Sequence, residues 1–250
     1  MSNHAYESAA ALRPGSNGPV PIRALCERFS LVPASADDAA ALEDLSVLGV
    51  SVDSGDTAPG ELFAGLPGFT VHGARFAAEA VACGAVVVLT DAEGGRIVHE
   101  TAPGTPVLIC DDPRAVVGPL SAEVYHHPAR GLITTAVTGT NGKTTTSYFL
   151  DAILSAHVGA CMVAGTVELR VGECSVESPR TTVEAPVLQR MMALAVEDGV
   201  GAASLEASSH AIVLHRLDGV VFDVAGFTNL QRDHLDFHKT MEGYLEAKAQ

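Results

Sequence analysis

Short, continuous apolar runs alternate with segments of helical periodicity through the first half of the chain. Continuous runs of this length are typical of strands buried on both faces of a sheet, whereas apolar positions three or four residues apart indicate helices. The pattern predicts strands at residues 47–53, 62–64, 85–89 and 107–110, with helices at residues 72–84 and 113–125. Because strands and helices alternate, we expect an α/β domain with a mostly parallel sheet.

The pattern breaks at residues 126–131, His-His-Pro-Ala-Arg-Gly, and then resumes in a second α/β unit. Its predicted strands are residues 132–137, 202–205 and 222–227, and its predicted helices are residues 143–157, 183–197 and from residue 241 onward. In the helix at 183–197, Met191 and Met192 belong to one apolar stripe, which indicates core residues. Because the sequence stops inside the last helix, we expect a truncated domain. Residues 1–20, with several prolines and glycines, are predicted to form a flexible leader.

Composition narrows the possible functions by exclusion. The 250 residues are 47% hydrophobic and 18% charged, and their formal net charge is −15. So acidic a chain lacks the basic face expected of a protein that binds nucleic acid or an anionic membrane. The five cysteines are scattered and form no C-x-x-C pair, so we expect reduced core thiols rather than disulfides or a zinc site. No apolar run approaches the ~20 residues of a membrane span, and no signal peptide is evident, which favours a cytoplasmic protein.

A glycine-rich loop joins the predicted strand at 132–137 to the helix at 143–157, which is the setting of a phosphate-binding loop. The loop consists of Gly139, Thr140, Asn141, Gly142, Lys143, Thr144 and Thr145. Glycines let the backbone approach phosphate oxygens, and free amides at the helix start point at an anion. Lys143 supplies a cation for the outer phosphates, and the Thr144 hydroxyl can bind Mg²⁺. The generic loop pattern has a glycine where this chain has Val137.

Two further segments contain groups suited to metal binding. Glu206 stands at the end of a predicted strand, where ligands and metals gather in parallel sheets, and a carboxylate there suits Mg²⁺. The second segment, residues 227–238, has the sequence Phe-Thr-Asn-Leu-Gln-Arg-Asp-His-Leu-Asp-Phe-His. A solvated loop would explain its polarity but not its coincidence with the other two motifs.

Together the three segments resemble those of the Mur ligase and folylpolyglutamate synthetase superfamily. The resemblance runs from about residue 49 to residue 250 and includes the motif Val-Asp-Ser at residues 52–54. Within the superfamily the chain resembles the Mur ligases that add the third residue of the peptidoglycan stem to UDP-MurNAc-L-Ala-D-Glu. This implies an N-terminal UDP-binding α/β domain at residues 21–128. It also implies a partial, P-loop-type central ATPase domain with a mostly parallel sheet at residues 129–250, without the family's C-terminal domain.

The resemblance implies roles for individual residues. ATP would bind the phosphate loop, and two Mg²⁺ ions would be held by Thr144, Glu206, His234 and Lys248, the last as a carbamate formed with CO₂. Lys143, His234 and Lys248 would be the catalytic residues, although Lys248 by itself would be interpreted as a surface lysine. The precursor would contact Val52, Ser54, Phe69, Thr70 and Val71 through its UDP moiety, and Thr181, Thr182, Ser208, Leu214 and Arg216 through the remainder. Leu214 and Val183 depart from the family's pattern, which leaves fine substrate contacts open.

The implied reaction activates the D-glutamate carboxylate as an acyl phosphate, which the amine of the third amino acid then displaces. Diaminopimelate is the expected amino acid and L-lysine the alternative, and the intact enzyme is expected to be a monomer. Three other interpretations stay open: another Mur or folylpolyglutamate-type ligase, a P-loop switch or regulatory module, and an inactive nucleotide-binding fragment. We expect little or no turnover from the isolated 250 residues. His210 and His215 are interpreted as structural.

Overall fold

The computed structural model describes residues 11–250, which divide into two compact units. The N-terminal unit contains Ser16–His126, and the C-terminal unit contains His127–Gln250 together with residues 11–15. Each unit has its own hydrophobic core and its own sheet, in which most neighbouring strands are parallel. The predicted α/β class is confirmed.

The N-terminal unit contains a five-stranded sheet and a two-stranded ribbon. Its elements are β1 (Val20–Pro21), α1 (Ile22–Phe29), β2 (Val32–Pro33), α2 (Ala36–Leu42), β3 (Ser46–Val47), β4 (Gly49–Ser51), β5 (Glu61–Ala64), α3 (Ala77–Cys83), β6 (Val87–Thr90), α4 (Ala92–Thr101), β7 (Val107–Ile109) and α5 (Pro113–Val124). The sheet order is β2-β7-β6-β5-β4, and only the β2–β7 pair is antiparallel. β1 pairs with β3 in the ribbon.

Several N-terminal elements differ from the prediction for identifiable reasons. The predicted strand at residues 47–53 is two strands, because the chain leaves the ribbon after β3 and enters the larger sheet at β4. The predicted helix at 72–84 begins as a 3₁₀ turn, Gly73–Phe76, and only then becomes α3, which ends at the left-handed Gly84 (φ +116). The pattern predicts neither α1 nor α2, which are only 8 and 7 residues long.

The unpredicted helix α4 contains two consecutive glycines, which are poor helix formers. Both are buried, and a Cβ at Gly94 would lie 1.9 Å from the hydroxyl oxygen of Thr90. The glycines therefore allow α4 to pack closely on the sheet. Because they are poor helix formers, they also make the helix difficult to predict from the sequence.

The C-terminal unit is built on a six-stranded sheet. Its elements are β8 (Ile133–Thr138), α6 (Lys143–Val158), β9 (Cys161–Ala164), β10 (Glu168–Val171), β11 (Cys174–Glu177), α7 (Ala185–Glu197), β12 (Ala202–Glu206), α8 (Ser209–Val213), β13 (Val224–Phe227), α9 (Leu235–His238) and α10 (Met241–Ala249). The order is β11-β10-β9-β12-β8-β13, and the last four strands are parallel. β12 pairs in parallel with β8 and β9, so the carboxyl ends of the three strands lie at the same edge of the sheet. All residues of β12 are buried.

The predicted strands and helices of the C-terminal unit are present, with small shifts at their ends. Met191 and Met192 are fully buried in the core, which confirms their interpretation. The sequence pattern does not predict the antiparallel hairpin of β10 and β11. Its polar side chains are paired rather than solvated: the Arg170 guanidinium lies 2.6 Å from the Asp151 carboxylate of α6, and the Tyr148 hydroxyl donates to Glu168 at 2.9 Å. Burial and the Glu168 carboxylate raise the pKa of Tyr148 to about 12.

Half of the predicted leader, residues 1–10, lies outside the residues that the structure describes. In the remainder, Leu12 is fully buried in the core of the C-terminal unit, and the backbone N–H of Gly15 donates to Glu197 Oε2 at 2.7 Å. The Asn17 amide donates to the backbone oxygens of Leu48 and Val124, at 2.6 and 3.0 Å. Residues 11–20 are therefore held in place by an apolar anchor and hydrogen bonds instead of forming a free leader.

The five cysteine thiols are free; Cys161 is buried and the other four are partly buried. Burial, the largest effect for both, raises the pKa of Cys161 to about 12 and that of Cys110 to about 11, so neither forms a thiolate readily. Within residues 11–250, no helix combines the length and the apolar character that a membrane span requires.

We predict that Leu12→Ala destabilises the C-terminal unit by about 2–5 kcal/mol, because it leaves a cavity in the core. The matched control is Leu245→Ala, whose side chain is 45% exposed and whose loss should cost less than ~1 kcal/mol. Urea unfolding measures both changes, and hydrogen exchange in α7 locates them in this unit. Equal effects of the two substitutions would mean that Leu12 is not anchored.

Candidate functional site

β8 and α6 flank the phosphate loop. β8 ends at Thr138 and α6 begins at Lys143, and the loop between them has positive φ angles at Gly139 (+139) and Gly142 (+86). A Cβ at Gly139 would lie 1.9 Å from the hydroxyl oxygen of Thr228, so only glycine fits there. The loop leads directly into the first turn of α6, whose backbone N–H groups have no partner within the helix. A helix N-terminus of this kind favours an anion.

Two lysines meet the loop at the same carbonyl oxygen. The amine of Lys143 donates to Gly139 O and to Thr140 O, each at 3.0 Å, and the amine of Lys248 donates to Gly139 O at 2.9 Å. Lys248 is buried, and its amine also lies 4.6 Å from the centre of the Tyr244 ring. Burial and, second, the charge of Lys143 lower the pKa of Lys248 to about 8, although Asp233 opposes this shift. A neutral amine is thus accessible slightly above neutral pH.

The segment after β13 holds the phosphate loop in its shape. The backbone N–H of Thr140 donates to Asn229 O at 2.8 Å, and that of Asn141 donates to Asn229 Oδ1 at 3.1 Å. In return, the Thr228 hydroxyl donates to Asn141 O at 2.7 Å, and the Gln231 N–H donates to Thr140 Oγ1 at 2.9 Å. The polar segment that the sequence associates with metal binding therefore also shapes the phosphate loop, through Thr228, Asn229 and Gln231, which have no role predicted from the sequence.

Glu206 ends β12 next to the loop, and its side chain is almost completely buried. The Thr144 hydroxyl donates to Glu206 Oε2 at 3.0 Å, so the structure brings together two of the predicted metal ligands. Thr166 contacts both carboxylate oxygens, through its N–H to Oε1 at 2.8 Å and its hydroxyl to Oε2 at 3.1 Å. Thr166 is not among the site residues predicted from the sequence; its position just after β9, at the carboxyl end of a parallel strand, is a signal only once β9 is recognised as a strand.

His234 lies in a different environment from Glu206, in a cluster of aromatic rings. Its ring centre is 4.8 Å from that of His210, and the His210 ring is 5.4 Å from that of His238. Burial lowers the pKa of His210, and His234 acts in the same direction. Burial likewise lowers the pKa of His238, with His210 as the next cause. No group of three or more His, Cys, Asp or Glu side chains within residues 11–250 is arranged to hold a metal ion, so the predicted ligand set depends on Thr144 and Lys248 as well.

The threonines predicted to contact the precursor differ in what their hydroxyls bind. The Thr181 hydroxyl lies 3.1 Å from that of Thr166. Thr182 is buried; its hydroxyl donates to the backbone oxygen of Glu206 at 2.7 Å and accepts from the N–H of Ser208 at 3.1 Å. Thr182 and Ser208 therefore join the end of β12 to the segment before α7, while Thr181 is partly exposed.

Arg216 is also beside this segment. Its guanidinium donates to Thr182 O at 3.2 Å and lies 3.0 Å from the Glu184 carboxylate. Leu214, which follows α8, is partly buried. His215 is left-handed (φ +58), and its Nδ1 lies 2.7 Å from Asp218 Oδ2. The structure thus places Arg216 close to Thr182, as their shared predicted role requires.

The residues predicted to contact the UDP moiety all belong to the N-terminal unit: Val52, Ser54, Phe69, Thr70 and Val71. The Ser54 hydroxyl is buried and donates to Glu79 Oε2 at 2.7 Å. By contrast, the loop of residues 69–71 is accessible, since Phe69 is 89% exposed and Val71 is 46% exposed. Large apolar side chains at such exposure are available to a ligand.

Residues 137–250 match the Mur ligase middle domain, and residues 46–125 match the description "Mur ligase family, catalytic domain". The chain belongs to the Mur ligase family. The middle-domain match begins within β8 and includes the phosphate loop, Glu206, the histidine cluster and Lys248. All the hydrogen bonds described around the phosphate loop thus lie inside the matched part of this Mur ligase chain.

Three similar Mur ligases share one name. Over 207 residues, the chain is 48% identical to the UDP-N-acetylmuramoyl-L-alanyl-D-glutamate--2,6-diaminopimelate ligase of Streptomyces avermitilis, covering 83% of this chain and 40% of that protein. It is 44% identical over 239 residues to the protein of the same name from Streptomyces coelicolor, covering 95% and 46%. A solved structure of a ligase of that name superposes with a TM-score of 0.64 at 34% identity, covering 82% and 40%. The chain therefore spans less than half the length of these relatives.

We predict that Gly139→Ala destabilises the C-terminal unit more than Gly142→Ala does. Both positions have positive φ and should lose about 1–2 kcal/mol through backbone strain. Only at Gly139 does the new methyl group overlap Thr228; at Gly142 the nearest atom would be 3.9 Å away. The overlap should cost a further ~1–3 kcal/mol in urea unfolding. Equal losses at the two glycines would show that Thr228 does not fix the loop.

Proposed function

We propose that this Mur ligase chain provides the nucleotide-binding and precursor-binding parts of an ATP-dependent ligase. The proposed reaction adds 2,6-diaminopimelate to UDP-MurNAc-L-Ala-D-Glu in peptidoglycan biosynthesis. The observation that supports it is the 3.0 Å contact between Thr144 and the buried carboxylate of Glu206, directly beside the phosphate loop. The names of the two Streptomyces relatives supply the substrates.

The residues around the loop fit a magnesium nucleotide. The backbone of Gly139–Thr145 and the first turn of α6 would surround the phosphates, with Lys143 as the nearby cation. Thr144 and Glu206 supply hard oxygen ligands of the kind Mg²⁺ prefers, and His234 with a carbamate on Lys248 would hold a second ion. Bound Mg²⁺ would supply charge stabilisation for phosphoryl transfer.

The chemistry requires two anions to meet. A carboxylate oxygen of D-glutamate attacks the γ-phosphorus of ATP, the bond to the bridging oxygen breaks, and ADP leaves. The amine of diaminopimelate then attacks the acyl carbon, phosphate leaves and the amine nitrogen loses a proton. Lys143 reduces the repulsion in the first step because its positive charge is held over the loop by Gly139 O and Thr140 O. Arg216 would hold a carboxylate or phosphate of the precursor with its planar fork.

The composition of the chain bears on the partners of the intact enzyme. We infer a cytoplasmic monomer that uses neither nucleic acid nor a membrane as a partner. The net charge of −15 supports the absence of nucleic-acid and membrane partners, since it opposes binding to polyanionic surfaces. L-lysine in place of diaminopimelate is the alternative amino acid.

Calorimetry on the 250-residue chain tests the proposal. We expect it to bind UDP-MurNAc-L-Ala-D-Glu, and separately to bind a non-hydrolysable ATP analogue with Mg²⁺. Lys143→Ala should weaken nucleotide binding by about 10- to 100-fold through loss of a charged hydrogen-bond donor, with precursor binding unchanged. The exposed Lys239→Ala is the control and should change neither affinity. Tight GTP binding without precursor binding would instead identify a P-loop switch.

A second experiment tests the carbamate. Only a neutral amine reacts with CO₂, and the lowered pKa of Lys248, about 8, makes most of this amine neutral at pH ~8.5, whereas an ordinary lysine with a pKa of ~10.4 stays charged. With ¹³C-bicarbonate at that pH, we expect a carbamate signal in the ¹³C NMR spectrum that fades below pH 8. Lys248→Arg should abolish it and Lys239→Arg should retain it. A signal that survives Lys248→Arg would assign the carbamate elsewhere.

A further inference from the structure

Tyr244 of α10 connects the phosphate loop to the side chains predicted to hold a second metal ion. The residue is 1% exposed, and its hydroxyl oxygen lies 3.2 Å from Thr140 Oγ1. Its ring centre is 4.6 Å from the Lys248 amine and 6.1 Å from the ring centre of His234. No role is predicted for this tyrosine from the sequence, and the reaction described above does not use it.

The helix α10 meets the phosphate loop at two successive loop residues. Tyr244 and Lys248 are four residues apart, so they lie on the same face of the helix. The Tyr244 hydroxyl reaches the Thr140 side chain, and the Lys248 amine donates to Gly139 O at 2.9 Å. A single contact would let the helix pivot about it, whereas two contacts one helical turn apart fix both the position and the direction of α10 beside the loop.

The hydrogen bonds of the Thr140 hydroxyl leave a defined place for Tyr244. This hydroxyl accepts from the Gln231 N–H at 2.9 Å and donates to Gln231 O at 3.3 Å. Because a threonine hydroxyl has one proton and two lone pairs, a second lone pair is left to accept from the Tyr244 hydroxyl. The phenolic proton is then bound to the loop. Tyr244 is therefore suited to orienting the loop rather than to exchanging a proton with a substrate.

We propose that Tyr244 is a positioning residue of the nucleotide site, which holds the phosphate loop and Lys248 in one fixed arrangement. The inference rests on the proposed function, which assigns the loop to ATP. With Thr140 already held, nucleotide binding does not have to order the loop, and a site ordered in advance binds its ligand more tightly. Without the hydroxyl, Lys248 is the one described contact of the pair that still joins this face of α10 to the loop.

Tyr244→Phe tests this role, because phenylalanine keeps the buried ring and removes only the hydroxyl. Calorimetry on the 250-residue chain with a non-hydrolysable ATP analogue and Mg²⁺ should show nucleotide binding weakened by about 3- to 10-fold, the equivalent of one hydrogen bond. The affinity for UDP-MurNAc-L-Ala-D-Glu should be unchanged.

The matched control is Tyr148→Phe, which removes a tyrosine hydroxyl from the same unit. That hydroxyl donates to Glu168 at 2.9 Å and makes no described contact with the loop. The two variants should lose similar free energies of unfolding in urea, but Tyr148→Phe should bind the nucleotide as the wild type does. Equal losses of nucleotide affinity in both variants would mean that Tyr244 acts through stability alone.

Thr140→Val removes the other hydroxyl of the same hydrogen bond. It should weaken nucleotide binding at least as much as Tyr244→Phe does, because it also ends the contacts with Gln231. The double variant should bind no more weakly than Thr140→Val alone, since the two substitutions remove one shared bond.

The outcomes separate this role from the proposed function. A wild-type chain that does not bind the nucleotide overturns the proposed function and the positioning role with it. Wild-type binding with an unchanged affinity in Tyr244→Phe overturns the positioning role alone, and so do additive losses in the double variant. If circular dichroism shows that Tyr244→Phe does not fold, Thr140→Val decides: undiminished nucleotide binding by that variant overturns the role.

Discussion

Burial of the Glu206 carboxylate at the edge of a parallel sheet is the constraint on which the C-terminal unit depends. A buried carboxylate costs several kcal/mol unless donors surround it, and here the donors come from two separate segments. Thr144 contributes from the start of α6, and Thr166 contributes from the turn after β9. The close approach also requires glycine at position 165, where a Cβ would lie 2.3 Å from Glu206 Oε1. The Glu206 carboxylate thus joins the end of β12 to the turn after β9 and to the start of α6.

In the phosphate loop, a single carbonyl group binds two lysine side chains. The carbonyl of Gly139 accepts from both Lys143 and Lys248, so the loop concentrates two amines at one point. Their proximity, together with burial, lowers the pKa of Lys248. The two lysine amines are therefore held by neutral carbonyl groups rather than by carboxylates. An anionic ligand attracts a positive amine more strongly than a carbonyl does, so the amines remain available to bind it.

The sequence predicts best those features whose signal is local. The strand β8, the phosphate loop and α6 follow from an apolar run, two glycines and helical spacing. Met191 and Met192 follow from periodicity. The helix α4 is missed because its glycines satisfy a packing requirement that lies elsewhere in the chain. Thr166 is missed because the sequence pattern does not predict β9, so its position at a strand end, facing Glu206, is evident only when β9 and β12 are placed side by side. The family resemblance predicts the residues that would bind nucleotide, metal and precursor, whereas the structure shows which residues orient them.

The anchoring of residues 11–15 also affects how the chain is made. Gly15 and its partner Glu197 are separated by 182 residues, and the core that receives Leu12 is completed by side chains between Ala129 and Leu217. On a ribosome that adds ~5–20 residues per second, the anchor would emerge roughly 10–35 s before its partners. The whole N-terminal unit is synthesised within that interval. Residues 11–15 are therefore made early but fixed late, and during translation Leu12 remains an exposed apolar side chain that a chaperone could bind.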